Sequence, residues 1–222
     1  AGFDILTYTG NNTTRTISHN LSAVPKLMIF KERDGTGNWI VYHGKNTSAP
    51  ETDLLLLNST SATIDDASAF NDTAPTSSVF TLGDGDGGGD NNEDGLSMIG
   101  YLWAEKQGFS KFGSYDSNSN ADGPFVYLGF RPSYLMIKCT TASEHWTVFD
   151  NKREPTNDGV MSQLNASGST AEGTLNILFL SNGFKVLEVT GQTNKSGSHS
   201  YVYMAFAEQP FVNSKGVPCN AR

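Results

Sequence analysis

The chain has 222 residues, a net charge of −8, only 17% charged residues, 37% hydrophobic residues and 23 glycines. No cluster of Lys and Arg offers a footprint for a phosphate backbone, and no apolar run is long enough for a membrane helix, so neither nucleic acid nor membrane insertion is expected. Two cysteines, Cys139 and Cys219, do not make a disulfide framework and read as free thiols.

In chain order, residues 3–8 read as a first strand closed by the turn Thr9-Gly10-Asn11-Asn12-Thr13. Pro25 stands at the entrance of the run Lys26-Leu27-Met28-Ile29-Phe30-Lys31, where its missing N–H costs no ladder bond. Asp34-Gly35-Thr36-Gly37 then turns the chain into Trp39-Ile40-Val41-Tyr42-His43, which gives a hairpin. Residues 44–75 are harder to place, and Asp53-Leu54-Leu55-Leu56-Leu57-Asn58 fits a helical turn or a buried strand equally well. Val79-Phe80-Thr81-Leu82 and the stretch 97–103 read as strands either side of a long acidic tip.

The second half repeats this pattern. Gly108-Phe109-Ser110-Lys111-Phe112-Gly113-Ser114-Tyr115 echoes the opening Gly2-Phe3-Asp4-Ile5-Leu6-Thr7-Tyr8. From the two tyrosines onward the halves run in register at an offset of 107, with Tyr8/Tyr115, Asn11/Asn118, Pro25/Pro132, Lys31/Lys138, Trp39/Trp146 and Val41/Val148 among the identities. A second block, offset by 104 and 103, pairs Phe80 with Phe184 and Trp103-Ala104-Glu105 with Phe206-Ala207-Glu208. A period of this size is a domain-sized unit and not a solenoid repeat. Few charges, many turn formers and many aromatics predict an all-β chain. Five or six strands per copy look too few for a complete sandwich. The expected architecture is therefore one β-sandwich, jelly-roll or lectin-like, built from two tandem pseudo-symmetric repeats: 1–107, then 108–211 packed on the first, then a C-terminal arm, 212–222. Two small β domains in a row are the alternative.

The sharpest local signal is the Asp/Gly tip at 83–95, because clustered carboxylates on a pliable backbone suit a hard cation. Read as an EF-hand loop from Asp84, it matches at Asp86 and Gly89 but has Gly95 where the bidentate Glu belongs. The equivalent tip in the second copy, 189–199, carries no Asp or Glu, so the tip reads as a mobile hairpin end and no metal or cofactor site is assigned. His19, His43, His145 and His199 show no metal spacing and read as surface or strand-edge residues. The carboxylate pairs Asp65/Asp66 and Asp150/Glu154 give no sign of converging, and no nucleophile motif or P-loop occurs, so no catalytic residue is assigned and no enzyme is expected. The aromatics Trp39, Tyr42, Trp103, Trp146, Phe149 and Phe206 read as core, with Trp39 and Trp146 on the inner faces; no ligand-binding residue is assigned.

Three stretches carry a family look: 108–115, then Asp122-Gly123-Pro124-Phe125-Val126-Tyr127-Leu128-Gly129-Phe130-Arg131-Pro132, then Tyr201-Val202-Tyr203-Met204-Ala205-Phe206-Ala207-Glu208-Gln209-Pro210-Phe211. Together with 75–83 they resemble a β-rich domain of uncharacterised function found in virion proteins of tailed bacteriophages, often at the C-terminal end of tail-fibre-like chains. The resemblance implies a non-enzymatic virion surface protein (tail fibre, adhesin or capsid decoration) exposed to the outside, with loops available for host attachment. The partners it implies are other virion subunits, further copies of the chain in a homo-oligomer, and a host surface glycan. The arm at 212–222 is expected either to make an intersubunit contact or to fold back on its own sandwich. A lectin-like carbohydrate-binding module is the alternative function, and a polysaccharide hydrolase a third.

Overall fold

In a computed structural model, which describes residues 2–85, 91–154 and 156–208, the chain is all-β and divides into two compact units, 1–105 and 106–222. The first unit holds β1 (Phe3–Thr9), β2 (Arg15–Ser18), β3 (Leu27–Glu32), β4 (Ile40–His43), β5 (Asp53–Leu56), β6 (Ile64–Asp65), the one-turn helix α1 (Ala67–Phe70), β7 (Val79–Leu82) and β8 (Ser97–Trp103). Six of these strands form one sheet in the order β1-β8-β3-β4-β5-β6, and β2 pairs with β7 in a second layer. The ambiguous 53–58 run begins as strand: Leu55 sits opposite Val41 and Leu56 opposite Ile40. Local chemistry sets the short helix. Asp66 accepts the N–H of Ser68 at its start, and Asn71, in the left-handed region at φ 50°, returns its N–H to the Ala67 carbonyl at its end.

The second unit holds β9 (Ser110–Asp116), β10 (Phe125–Tyr127), β11 (Pro132–Cys139), β12 (Thr147–Asp150), β13 (Met161–Asn165), β14 (Gly173–Leu175), β15 (Ile177–Leu180), β16 (Gly183–Val186) and β17 (Ser200–Ala207). Its six-stranded sheet runs β9-β17-β11-β12-β13-β14, and its second layer is the three-stranded sheet β10-β16-β15. Read from the N-terminal strand, the two large sheets share one strand order. The second layers correspond as well, β2-β7 to β10-β16, with α1 standing in the chain where the second unit has β15.

Each unit closes a core of its own between its two layers, although a single copy seemed short of strands for it. In the first, Phe30 of the large sheet meets Phe80 of β7 at 5.2 Å and Phe70 of α1 at 6.0 Å between ring centroids, and Tyr42 meets Phe70 at 5.5 Å. In the second, Phe184 of β16 packs edge-on against Tyr203 and Tyr115 of the large sheet, with Leu135, Ile137 and Phe149 beside them. Burying rings of this size stabilises each core by about 1.5–3 kcal/mol per side chain.

The two tryptophans expected on matched inner faces are not equivalent. Trp146 is buried at 1% exposure, Trp39 is only half-buried, and neither belongs to its unit's core cluster, which takes Tyr42 and Phe149 instead. The central strands are buried on both faces, since Val41 and Leu55 are as sealed as Ile40 and Leu54. Alternation alone therefore could not say which face is the inner one.

Candidate functional site

The acidic tip is not the end of a hairpin. β7 pairs with β2 and β8 pairs with β1 and β3, so the chain leaves the second layer after Leu82 and enters the large sheet at Ser97. The stretch 187–199 does the same between β16 and β17. Two strands adjacent in sequence and separated by a polar tip look like a hairpin whichever sheets they join, which is why the sequence misleads here.

A clasp holds each crossing. Asn92 is fully buried; its Nδ2 donates to the Gly83 carbonyl at 2.6 Å and the Thr13 carbonyl at 3.0 Å, and its Oδ1 accepts the N–H of Asn11 at 3.3 Å. Beside it Asn91 donates to the Ala69 carbonyl at 2.9 Å, and its own carbonyl accepts the Tyr8 hydroxyl at 2.5 Å. In the second unit Asn194, also fully buried, lies with Nδ2 at 3.0 Å from the Glu188 carbonyl and 2.8 Å from the Asn120 carbonyl, while its Oδ1 accepts the N–H of Asn118 at 3.0 Å. The Tyr115 hydroxyl donates to the Thr193 carbonyl at 2.7 Å. The partners are thus Tyr8 and Asn11 in one unit and Tyr115 and Asn118 in the other, two of the identities in the 107-residue frame. Sequence reasoning missed the asparagines themselves, because Asn in a Gly/Asp loop reads as solvated. The repeated Tyr and Asn on the far side of the clasp were the available signal.

Close packing makes the clasp specific. A Cβ on Gly10 would come within 1.9 Å of the Glu93 carbonyl oxygen, so only glycine lets the β1 exit lie against the returning limb. Gly10 and Leu96 exchange backbone contact there, with the Gly10 N–H donating to the Leu96 carbonyl at 2.8 Å. Around the clasps, Asn11, Asn12, Thr13, Asp84, Glu93 and Asp94 in the first unit, and residues 118–122 with 196–198 in the second, are exposed. What each unit presents at this end is a polar surface on an ordered base. Asp86 and Asp90, two carboxylates of the Asp/Gly tip, lie outside the described residues, as do Cys219 and the whole arm at 212–222. Among the described residues, no group of three His, Cys, Asp or Glu could hold a metal ion, and no helix is long and apolar enough to cross a membrane.

The remaining candidates occupy separate places. Asp66 caps α1, whereas Asp65 lies in β6 opposite Asp53, so the pair is divided between two structural tasks. Asp150 binds Arg153 at 2.6 Å, and Arg153 reaches on to Glu172 at 2.8 Å, while Glu154 takes the Thr156 hydroxyl. Burial pushes the Asp150 carboxyl up, but its hydrogen bonds from Arg153 and Lys152 outweigh that and hold it below the ordinary carboxylate range. His19 and His43 are buried, contrary to the surface reading. His19 accepts the Leu21 N–H on Nδ1 and faces the Thr76 carbonyl with Nε2, which makes it a backbone brace. His145 and His199 are half-buried and bond Ser167 and Thr141.

One buried cation escaped the sequence reading. Lys138 is sealed from solvent and donates from Nζ to the Glu144 carbonyl at 2.6 Å, at the turn between β11 and β12. Burial pulls its amine down to about 8, opposed by Cys139 and Glu144. Lys31 donates in the same way to the Gly35 carbonyl at 3.2 Å, so this lysine caps the hairpin turn in both units. Cys139, next along the strand, is a buried free thiol in the core.

No curated protein and no solved structure matches the chain. A family model described as a domain of unknown function (DUF7483) matches residues 1–210, which takes in both units with their clasped crossings, and the chain belongs to that family.

Proposed function

We propose that this chain is a non-enzymatic surface protein of a bacteriophage virion, serving as a tail fibre, adhesin or capsid decoration on the outside of the particle. In this reading it works as a homo-oligomer among other virion subunits and offers its loops for host attachment. The observation that carries the reading is the pair of clasps: a buried Asn92 or Asn194 fixes the base of each crossing, while the polar residues beyond it face solvent. A rigid scaffold with exposed, chemically adaptable loops is the arrangement a recognition surface needs. The shared strand order of the two large sheets supports descent of both units from one duplicated domain, and the family look of 108–132 and 201–211 supports a virion setting.

Antibodies raised against the recombinant chain test the proposal by negative-stain imaging of purified particles. Label is expected on the particle surface. Label confined to the soluble fraction of the lysate, with none on particles, overturns it. A reducing-end assay on surface polysaccharide, run on the same preparation, reads the hydrolase alternative directly.

A further inference from the structure

β10 is an edge strand of the second unit's outer layer, and its three residues divide by face. Val126 points into the core, whereas Phe125 and Tyr127 are 47% and 59% exposed. Register places Phe125 beside Lys185 and Tyr127 beside Gly183, so the outer surface carries two aromatic rings next to one cation and one position without a side chain. Lys185 is bound to Asp122 at 2.7 Å, and the Lys111 amine sits 5.2 Å from the centre of the Tyr127 ring. The result is a small aromatic shelf with hydrogen-bonding groups along its border.

The first unit is an internal control for what the fold requires at these positions. There β2 pairs with β7 as β10 pairs with β16, with Ile17 opposite Phe80 where Val126 lies opposite Phe184. The places flanking that pair hold Thr16, Thr81, Ser18 and Val79 where the second unit has Phe125, Lys185, Tyr127 and Gly183. The first unit has no aromatic ring at any of these four places. The second unit thus adds two exposed rings to a framework that forms without them in the first.

We infer that Phe125 and Tyr127 form a glycan-binding platform, with Lys185, Asp122 and Lys111 hydrogen-bonding the hydroxyls of a saccharide stacked on the rings. Size argues for this occupant over another protein. A Phe or Tyr covers about 150–250 Å² when fully buried, so two half-exposed rings offer roughly 200 Å², well short of the ~800 Å² per partner of a stable protein interface. Residues two apart on a strand stand about 7 Å from each other, which lets successive rings of an extended oligosaccharide each meet an aromatic face. The apolar face of a pyranose suits the rings, and its equatorial hydroxyls suit the charged border. This inference stands apart from the virion reading, since the shelf would bind sugar whatever the chain is mounted on.

The test uses the full chain and a panel of linear tetrasaccharides of glucose, galactose, mannose and N-acetylglucosamine, followed by saturation-transfer NMR. At least one should bind, and the aromatic resonances of Phe125 and Tyr127 should shift on titration without any substitution being needed. The double change Phe125→Thr with Tyr127→Ser, which installs the first unit's residues, should weaken that binding by about tenfold or more. No binding across the panel overturns the inference, as does binding that the double variant retains in full. A third outcome overturns it too: wild-type chain that sediments as a dimer which the double variant abolishes would assign the shelf to a second copy.

Discussion

Asn92 and Asn194 hold the same post in the two units. Each takes a backbone N–H from the strand-exit loop, Asn11 or Asn118, and each returns its amide to the carbonyl where the crossing departs, Gly83 or Glu188. Buried amides with so many partners are costly to remove, because their loss strands several carbonyls away from water. Asn92→Ala and Asn194→Ala should each destabilise their own unit by about 2–3 kcal/mol in denaturant unfolding. Glu93→Ala, on the exposed limb one residue along, should stay within about 0.5 kcal/mol of the parent. Cutting the crossing back so that Asn92 is lost should behave like Asn92→Ala and not like a silent loop trim.

Trp146 and Trp39 should part company in mutagenesis. Trp146→Ala opens a fully buried site and should cost about 3–5 kcal/mol. Trp39→Ala, from a half-buried position, should cost less than half of that. Acrylamide quenching of single-tryptophan variants checks the same point independently, with Trp39 quenched readily and Trp146 protected.

The buried amine of Lys138 predicts a pH dependence with a definite sign. Its folded value of about 8 lies below the ordinary 10.5, so between these limits the unfolded chain holds a proton that the folded chain does not. Stability should therefore rise with pH across that window, at up to about 1.4 kcal/mol per pH unit. Lys138→Met should abolish the rise. Denaturant midpoints at pH 7 and pH 9.5, measured for both proteins, decide it.

At higher pH the tyrosines work in the opposite direction. Burial raises the hydroxyls of Tyr8, Tyr42, Tyr115, Tyr134 and Tyr201, with Tyr42 pushed up to about 12. A folded value above the unfolded one near 10 means that the stability these groups confer is whole below about pH 10 and is lost as pH rises beyond it. Absorbance at 295 nm should show these five ionising in step with loss of the far-ultraviolet strand signal. Ionisation well before unfolding would contradict their burial.

Most of the longer strands were legible in the sequence for physical reasons, whereas β2, β6, β10 and β13 to β15, short or set in polar stretches, were not. Pro25 marks where β3 can begin, and the branched and aromatic residues between Ser97 and Trp103 mark β8 as a strand. Sheet membership was not legible, since nothing in Val79-Phe80-Thr81-Leu82 says that its partner is β2 and not β8. The face assignment of Trp39 failed because the middle of a sheet sealed on both sides has no polar alternation to read. Of the candidate surface, Tyr8/Tyr115 and Asn11/Asn118 were visible as identities, but their meaning depended on the buried asparagines. The exposed rings of Phe125 and Tyr127 needed the register of β10 against β16 before they could be told from core.

The clasp also has a consequence for how this scaffold can change. Gly83 and Asn92 are nine residues apart along the chain, Glu188 and Asn194 only six, yet each pair closes the same kind of hydrogen bond. The chain length between the bonded residues thus differs between the units, while the large sheets share one strand order. An insertion that leaves the clasp bonds intact adds a closure cost that grows only logarithmically, about 0.6 kcal/mol for each doubling in length. One scaffold can therefore carry crossings of different length, provided that the tyrosine and asparagine anchors of each clasp are kept.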